Sequence, residues 1–414
     1  MADISAQIYG WDDVVEHAVL DHGLEGEWDD RQVWNPAVIK DGDTLRMYYT
    51  GGNETLWEDP TTKIGYAWSL DGINWTRYSG NPILSAEFSW EEDSLFGCAV
   101  IKDGDTMRMW YGCGYPGKSI GYATSLDGKN WNKHPFPVLG SGQVSEWDDG
   151  FIVPNTAIKD GNLFKMWYWA GRPGWPFEAS MPQTGLATSP DGINWTKYND
   201  TTTTTAPHVF SDPVLKHGDT NDWDEDRAIY PTVLKKGAGY EMWYDGGRWG
   251  ATQNQSVGYA QSNDGINWVK HPEPVFTSPR SWGDHIYSGA VLNFSNNYHL
   301  WYACLQTDVE YGPKIGYAMS PDPSGIFSQR TESIIQVYPN PFSTSTAIEY
   351  ELTKPSTVQL TIYDYLGKQV EVIKEKQAQG KQQVLWNAEG LPSGVYFCSL
   401  KTNEGMQTKK LIKL

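Results

Sequence analysis

Five stretches of the chain set acidic residues directly ahead of a short apolar run: EWDDRQVWN (27–35), WEEDSLFG (90–97), EWDDGFIV (146–153), WDEDRAIY (223–230) and WGDHIYSG (282–289). Carboxyl groups brought together from separate segments can do acid–base work when one holds a proton and another does not. A pair so placed is what glycosidic bond cleavage requires. Aligned on the runs that follow, one column reads Arg31, Asp93, Gly150, Asp226 and Asp284, and the next reads Gln32, Ser94, Phe151, Arg227 and His285. Both columns vary between copies, whereas Asp29, Asp148 and Asp224 recur beside their Trp. A residue present in every copy serves the common scaffold; a residue that differs marks where a site is to be sought. Asp93, Asp226 and Asp284 are therefore the leading acid and base candidates, followed by Asp30 and Asp149 in the same loops. Arg31 and Arg227 are candidates to hold substrate or tune a carboxyl group. Asp245 closes a later strand, has no counterpart in the other copies, and joins the substrate-binding candidates.

Aromatic residues cluster in the same places. Trp34, Tyr230 and Tyr287 occupy or adjoin the starts of the apolar runs, and Trp57, Trp175 and Trp249 lie in loops of variable length. Such rings stack on the C–H faces of sugars while carboxylates and amides bond the hydroxyls. Each residue also has a structural account: a solvated rim charge or loop cap for an acid, a packed core for a ring. No cofactor is expected. If an ion were held, calcium would suit this carboxylate supply better than zinc.

What must position these residues is a repeat. SLDGINW (69–75), SLDGKNW (125–131), SPDGINW (189–195) and SNDGINW (262–268) are four copies of one turn, with a worn fifth beginning at Ser320. Each copy sits in a unit that reads W-D-D, a strand, K-D-G-D, a strand like RMYY, a variable loop, IGYA, the turn, then NPIL. Asp-Gly supplies the backbone conformation that a tight hairpin needs, and the Trp can pack between units. Four short strands per repeat of more than forty residues indicate a β-propeller blade. The fold expected is all-β, a five-bladed propeller over residues 1–325. The fifth copy lacks its last strand, and HAVLDHG (17–23) resembles DPVLKHG (212–218), so the N-terminal segment is expected to close blade five. Strand polarity puts the W-D-D loops and the variable loops on one face, where they converge on the axis as an acidic, aromatic funnel.

The propeller resembles the five-bladed glycoside hydrolases of arabinanase and β-xylosidase type, invertase and levanase type, and the mannoside phosphorylases. The resemblance rests on blade count and on strings such as NPAVIKDGDTLRMYYTGG and IGYAWSLDGINW, across residues 11–325. It implies carbohydrate chemistry in the funnel. Arabinanase-type members carry an Asp before the Pro that opens a first strand; here that residue is Asn35, which cannot act as a carboxylate base and is retained as a substrate-binding candidate. Gly97 stands where the family has a second Asp, and Ile152 and Ile229 stand where its acidic Glu would be. In some relatives a His near the axis helps hold a central ion, which brings His285 into the candidate set.

Beyond a polar linker at 326–335 the pattern changes. Residues 336–414 read as a small Ig-like β-sandwich. YPNPF, IYDYLGK, LPSGVYF and the basic-apolar terminus Lys409–Leu414 resemble the C-terminal sorting domain of the type IX secretion system of Bacteroidetes-type bacteria. The resemblance implies a secreted or cell-surface protein and the secretion machinery as a partner. The start MADISAQIYG lacks the parts of a signal peptide, consistent with a mature form or a cytoplasmic chain. The formal net charge of -19 argues against nucleic acid or an anionic membrane as a partner, and no run is long and apolar enough to span a bilayer. Each of the four Cys is expected to be a small buried thiol, although Cys98 and Cys113 could approach across one hairpin. A monomer is expected. The functions to weigh are a glycoside hydrolase acting on a polysaccharide or oligosaccharide, a glycan-binding propeller without catalysis, and a surface scaffold.

Overall fold

The computed structural model describes residues 11–53, 61–114, 117–173, 180–248, 255–277, 285–305, 312–321, 336–352, 354–364, 368–402 and 405–414. The chain divides into two compact units, Met1–Pro321 and Asp322–Leu414. The first is a five-bladed β-propeller built from five antiparallel sheets. Blade one comprises strands Gln32–Asp41, Thr44–Gly52, Thr62–Ser69 and Thr76–Arg77. The first strands of the others are Leu95–Asp103, Phe151–Asp160, Arg227–Lys236 and His285–Phe294. First strands pack against first strands from blade to blade, and blade five packs against blade one, so the ring is closed. Blade five takes its outer strand from the N-terminal side. Asp12 and Asp13 pair with Met319 and Ala318, and Leu20 bridges Ile315.

Second strands are apolar almost without alternation, as in Met109, Trp110 and Tyr111, all fully buried. Each blade is covered on both faces by its neighbours, so both sides of the strand lie in core. The repeated turn is the joint between blades. In the first copy Gly72 has φ +79°. Asp71 accepts N–H bonds from Ile73 and Asn74 at 2.9 and 2.8 Å, and the Trp75 indole donates to the Gly72 carbonyl at 2.9 Å. That carbonyl also receives the Trp301 indole of blade five at 2.8 Å, just as Gly192 receives Trp110 at 2.7 Å and Gly265 receives Trp167 at 3.1 Å. Burial opposes ionisation at all four turn carboxyls and is the largest single influence at Asp71 and Asp264, yet backbone N–H groups and the turn Asn side chain together hold Asp71, Asp127, Asp191 and Asp264 well below the usual carboxylate range. On the same face the K-D-G-D turns are linked around the axis: Lys102 to Asp41 at 2.5 Å, Lys159 to Asp103 at 2.7 Å, and Lys235 to Asp160.

The second unit stacks the sheet of Gln336–Tyr338, Ser345–Leu352 and Gly380–Asn387 on that of Gln369–Gln377, Ser356–Asp364, Gly394–Thr402 and Gly405–Lys413. Its core includes Ile348, Leu360, Ile362, Trp386, Cys398 and Leu411. All four cysteines are buried free thiols, and Cys98 and Cys113 are not bonded to each other.

Candidate functional site

The recurrent acids of the W-D-D loops are structural clamps. Asp29 takes the Tyr49 hydroxyl at 3.0 Å and Arg77 at 3.1 Å. Asp148 takes Lys197 at 2.6 Å, and Asp224 takes Lys270 at 2.6 Å and the Tyr244 hydroxyl at 2.9 Å. In blade two the clamp is Glu91, bonded to Lys133 at 2.9 Å and to the Tyr111 hydroxyl at 3.0 Å. All four are buried, and each ties the start of its blade to the fourth strand, the source of the cation. Asp30 and Asp149 cap their own loops, accepting the Gly26 and Ser145 N–H at 2.7 Å; Glu225 does the same for Asn221 at 2.9 Å.

Of the leading acids, Asp93 is exposed, with φ +58°, and Asp226 is half-buried where blade four begins, its N–H donating to Gly247 at 3.2 Å. Arg31 is half-buried at the matching place in blade one, its N–H donating to Gly52 at 3.1 Å. Asp284, Trp57, Trp175 and Trp249 lie outside the described residues.

The first strands are interrupted near the axis in every blade. Their pairing with the second strands shifts between Trp34 and Ala37, Phe96 and Cys98, Pro154 and Thr156, Ile229 and Thr232, and Tyr287 and Ala290. Asn35, Gly97 and Tyr230 hold φ values of +46°, +55° and +51° there. Bulges of this kind re-aim side chains, and the left-handed conformation is costly for a bulky Tyr. Here the bulges direct rings inward. Trp34, Phe96, Phe151, Trp169, Tyr230 and Tyr287 belong to one axial cluster. Trp34 lies parallel to Phe96 at 6.5 Å, and Tyr230 contacts Trp169 at 4.8 Å and Tyr287 at 6.1 Å. Trp34 and Tyr230 are thus packed on neighbouring rings, at 8% and 5% exposure, rather than standing as open platforms. Asn35 is buried beside Gly97, and its amide nitrogen has no partner among the described residues.

Charge enters this cluster from blade four. Arg227 opens the first strand of blade four and Asp245 stands on the second strand opposite Ile229. The Arg227 Nε donates to Asp245 Oδ1 at 2.9 Å; the two residues are 1% and 0% exposed. The other carboxylate oxygen of Asp245 is buried and bonded to no protein group among the described residues. Burial pushes the Asp245 carboxyl up to about 7, against the opposing pull of Arg227. Tyr287 is close to both and hydrogen-bonds Gln255; burial pushes its phenol up to about 12. His285 opens the first strand of blade five, half-buried. Trp169 and Gln255 were not among the sequence candidates. Trp169 could have been found, because it shares a column with Thr50, Gly112, Asp245 and Ala303, the variable position of otherwise uniform second strands. Gln255 lies beside a loop of variable length and carries no such signal. Among the described residues no group of three or more His, Cys, Asp or Glu is arranged to hold a metal ion.

Residues 336–414 match the Secretion system C-terminal sorting domain. The chain is 28% identical over 251 residues to an uncharacterized protein of Mycobacterium tuberculosis, covering 58% of this chain and 75% of that one. It is 28% identical over 148 residues to the β-1,2-mannobiose phosphorylase of a Thermoanaerobacter species, covering 34% of this chain and 45% of the relative. A glycosyl hydrolase from Bacteroides ovatus has a similar structure, with a TM-score of 0.59 at 17% identity over 76% of this chain and 96% of that one. Fold and tail together give the class: a five-bladed propeller similar in fold to glycoside hydrolases and similar over part of its length to a mannoside phosphorylase, followed by a secretion sorting domain. The sorting domain makes the chain a client of type IX secretion, delivered to the cell surface or beyond. No helix among the described residues is long and apolar enough to cross a membrane.

Proposed function

We propose that the propeller is a carbohydrate-active enzyme that cleaves oligosaccharides, of the mannoside class or close to it, in the funnel. The observation that carries this reading is the Arg227–Asp245 pair: a buried carboxyl group near the axis whose pKa lies at about 7. A carboxyl of that kind holds a proton at neutral pH and can deliver it to a departing sugar oxygen. Arg227 orients it through one oxygen, and the second oxygen, buried in the free protein, becomes the donor once substrate entry opens the site. Asp226, the adjacent acid at the start of the strand, is the candidate for the second carboxylate. Tyr287, the partly buried ring of the axial cluster, is the candidate for contact with a pyranose. The similarity to a β-1,2-mannobiose phosphorylase supports a mannoside, and it makes inorganic phosphate as well as water a candidate acceptor.

A second reading is glycan binding without cleavage. It is favoured by Asn35 and Gly97, which stand where arabinanase-type enzymes carry Asp, and by the commitment of Asp30 and Asp149 to their own loops. The test is a panel of manno-, xylo- and arabino-oligosaccharides given to the full chain and to Asp245→Asn, with and without phosphate, scoring free reducing ends and sugar phosphate. Product from the parent and a loss of more than about a hundredfold in the variant supports the enzyme. Binding without product from the parent means that the propeller only recognises glycan.

A further inference from the structure

Blade three departs from the repeat at one place on its outer edge. Between its fourth strand, Thr196–Lys197, and the outer segment Pro213–Leu215 lie residues 198–212. The same stretch is residues 78–83 in blade one, 134–138 in blade two and 271–275 in blade four. The extra chain is firmly built. Asp212, 6% exposed, accepts the Asp200 N–H and the Thr203 hydroxyl, both at 2.8 Å, and its own N–H donates to Tyr198 at 3.0 Å. Glu146, 3% exposed, accepts the Val209 and Phe210 N–H groups at 3.1 and 3.2 Å. The Trp147 indole donates to Ser211 at 3.0 Å. Burying two carboxylates to hold a surface loop is costly, and blades one, two and four complete their sheets without such a loop. The loop is therefore preorganised for something other than closing the ring.

It walls a groove of about 520 Å³ between blades three and four, within the range that receives small ligands. Half-buried rings of Tyr198 and Trp268 line it, and the Trp268 indole N–H is already given to Gly265 at 3.1 Å, which leaves apolar ring surface. Asp200, Asp219 and Asn267 supply acceptors and donors on the same walls. The walls carry Lys216, His217 and Lys270 against Asp200, Asp212, Asp219 and Asp222, and Lys270 is committed to Asp224 at 2.6 Å, so the balance of charge disfavours an anion. A wholly apolar ligand would strand these polar groups. A neutral polyol with apolar faces suits all of them. None of these residues belongs to the axial cluster.

We infer that this flank groove is a second carbohydrate-binding site, which holds a polysaccharide chain while the funnel works on another part of it. The inference rests on the carbohydrate reading proposed above. It is tested by affinity electrophoresis of the full chain through gels cast with glucomannan, xylan or arabinan, alongside turnover of short oligosaccharides. Tyr198→Ala and Asp219→Ala, singly and together, are compared with the parent and with Asp245→Asn, and melting temperature is checked throughout. Retention weakened about tenfold in the double variant, with melting and short-substrate turnover unchanged, is the expected result. Retention unchanged in the double variant, or no retention of the parent on any gel, overturns the inference. The two proposals fail separately: retention that depends on Tyr198 without turnover of any substrate leaves the groove standing and removes the enzyme.

Discussion

The Arg227–Asp245 pair gives a prediction of unusual sign. Removing one member of a buried ion pair ordinarily destabilises a protein by about 3–5 kcal/mol, because the partner is left charged and alone. Here Asp245 has a raised pKa of about 7, so burial outweighs the attraction of Arg227. The folded state then binds the Asp245 proton more tightly than the unfolded state does. The stability this confers is fully present below about pH 4 and is lost as pH rises through about 7. At about 1.4 kcal/mol per pH unit, the loss approaches ~4 kcal/mol. Asp245→Asn keeps the shape and removes the titration. The variant should match the parent near pH 4 and gain on it between pH 4 and 7. Above neutrality it should be more stable by up to ~4 kcal/mol, while turnover is lost. Urea unfolding of the full chain at several pH values, followed by tryptophan fluorescence, reads the difference between variant and parent and cancels the other titrating groups. A variant less stable than the parent by several kcal/mol at pH 7.5, with no dependence on pH, would refute the reasoning and make the pair an ordinary structural ion pair.

Other outcomes follow from the scaffold. Lys133→Met leaves the Glu91 clamp buried without its cation and should cost about 3 kcal/mol, whereas Lys118→Met, which removes the exposed partner of Glu92, should cost less than about 1 kcal/mol; melting temperatures compare the two. Gly192→Ala combines φ +84° with a Cβ placed 3.0 Å from the Trp110 ring, so it should lower the melting temperature more than Gly161→Ala, where φ is +64° and nothing lies within 4 Å. Deleting residues 336–414 should keep the protein from reaching the cell surface or medium, as read by fractionation of the producing cells.

The blade count, the turn chemistry and the sorting tail were legible in the sequence because each rests on a local demand that few residue types meet. Asp-Gly-x-Asn is an example: Gly supplies the positive φ and the Asp carboxylate collects the N–H groups of the turn. The site was only partly legible. Arg227 and Asp245 stood out by differing from their counterparts, but their pairing depends on the register that sets Asp245 opposite Ile229 across a bulge. Composition could not show that Trp34 and Tyr230 would pack on other rings, because the bulges that turn them inward are properties of the paired strands. Nor could it show that Asp30 and Asp149 reach back to N–H groups four residues earlier.

The repeat also explains why residues that differ between blades are the place to seek a site. Asp29, Glu91, Asp148 and Asp224 are each neutralised by a cation from the same blade, so the ring carries its conserved acids as matched pairs. The column of Thr50, Gly112, Trp169, Asp245 and Ala303 is free to differ because it faces the axis or an adjoining first strand, where the five blades no longer need to be alike. Thr50 uses its hydroxyl to accept the Gly97 N–H of the next blade at 2.9 Å, Trp169 packs in the axial cluster, and Asp245 brings the charge. A five-fold scaffold therefore carries its buried ion pair in this column on blade four.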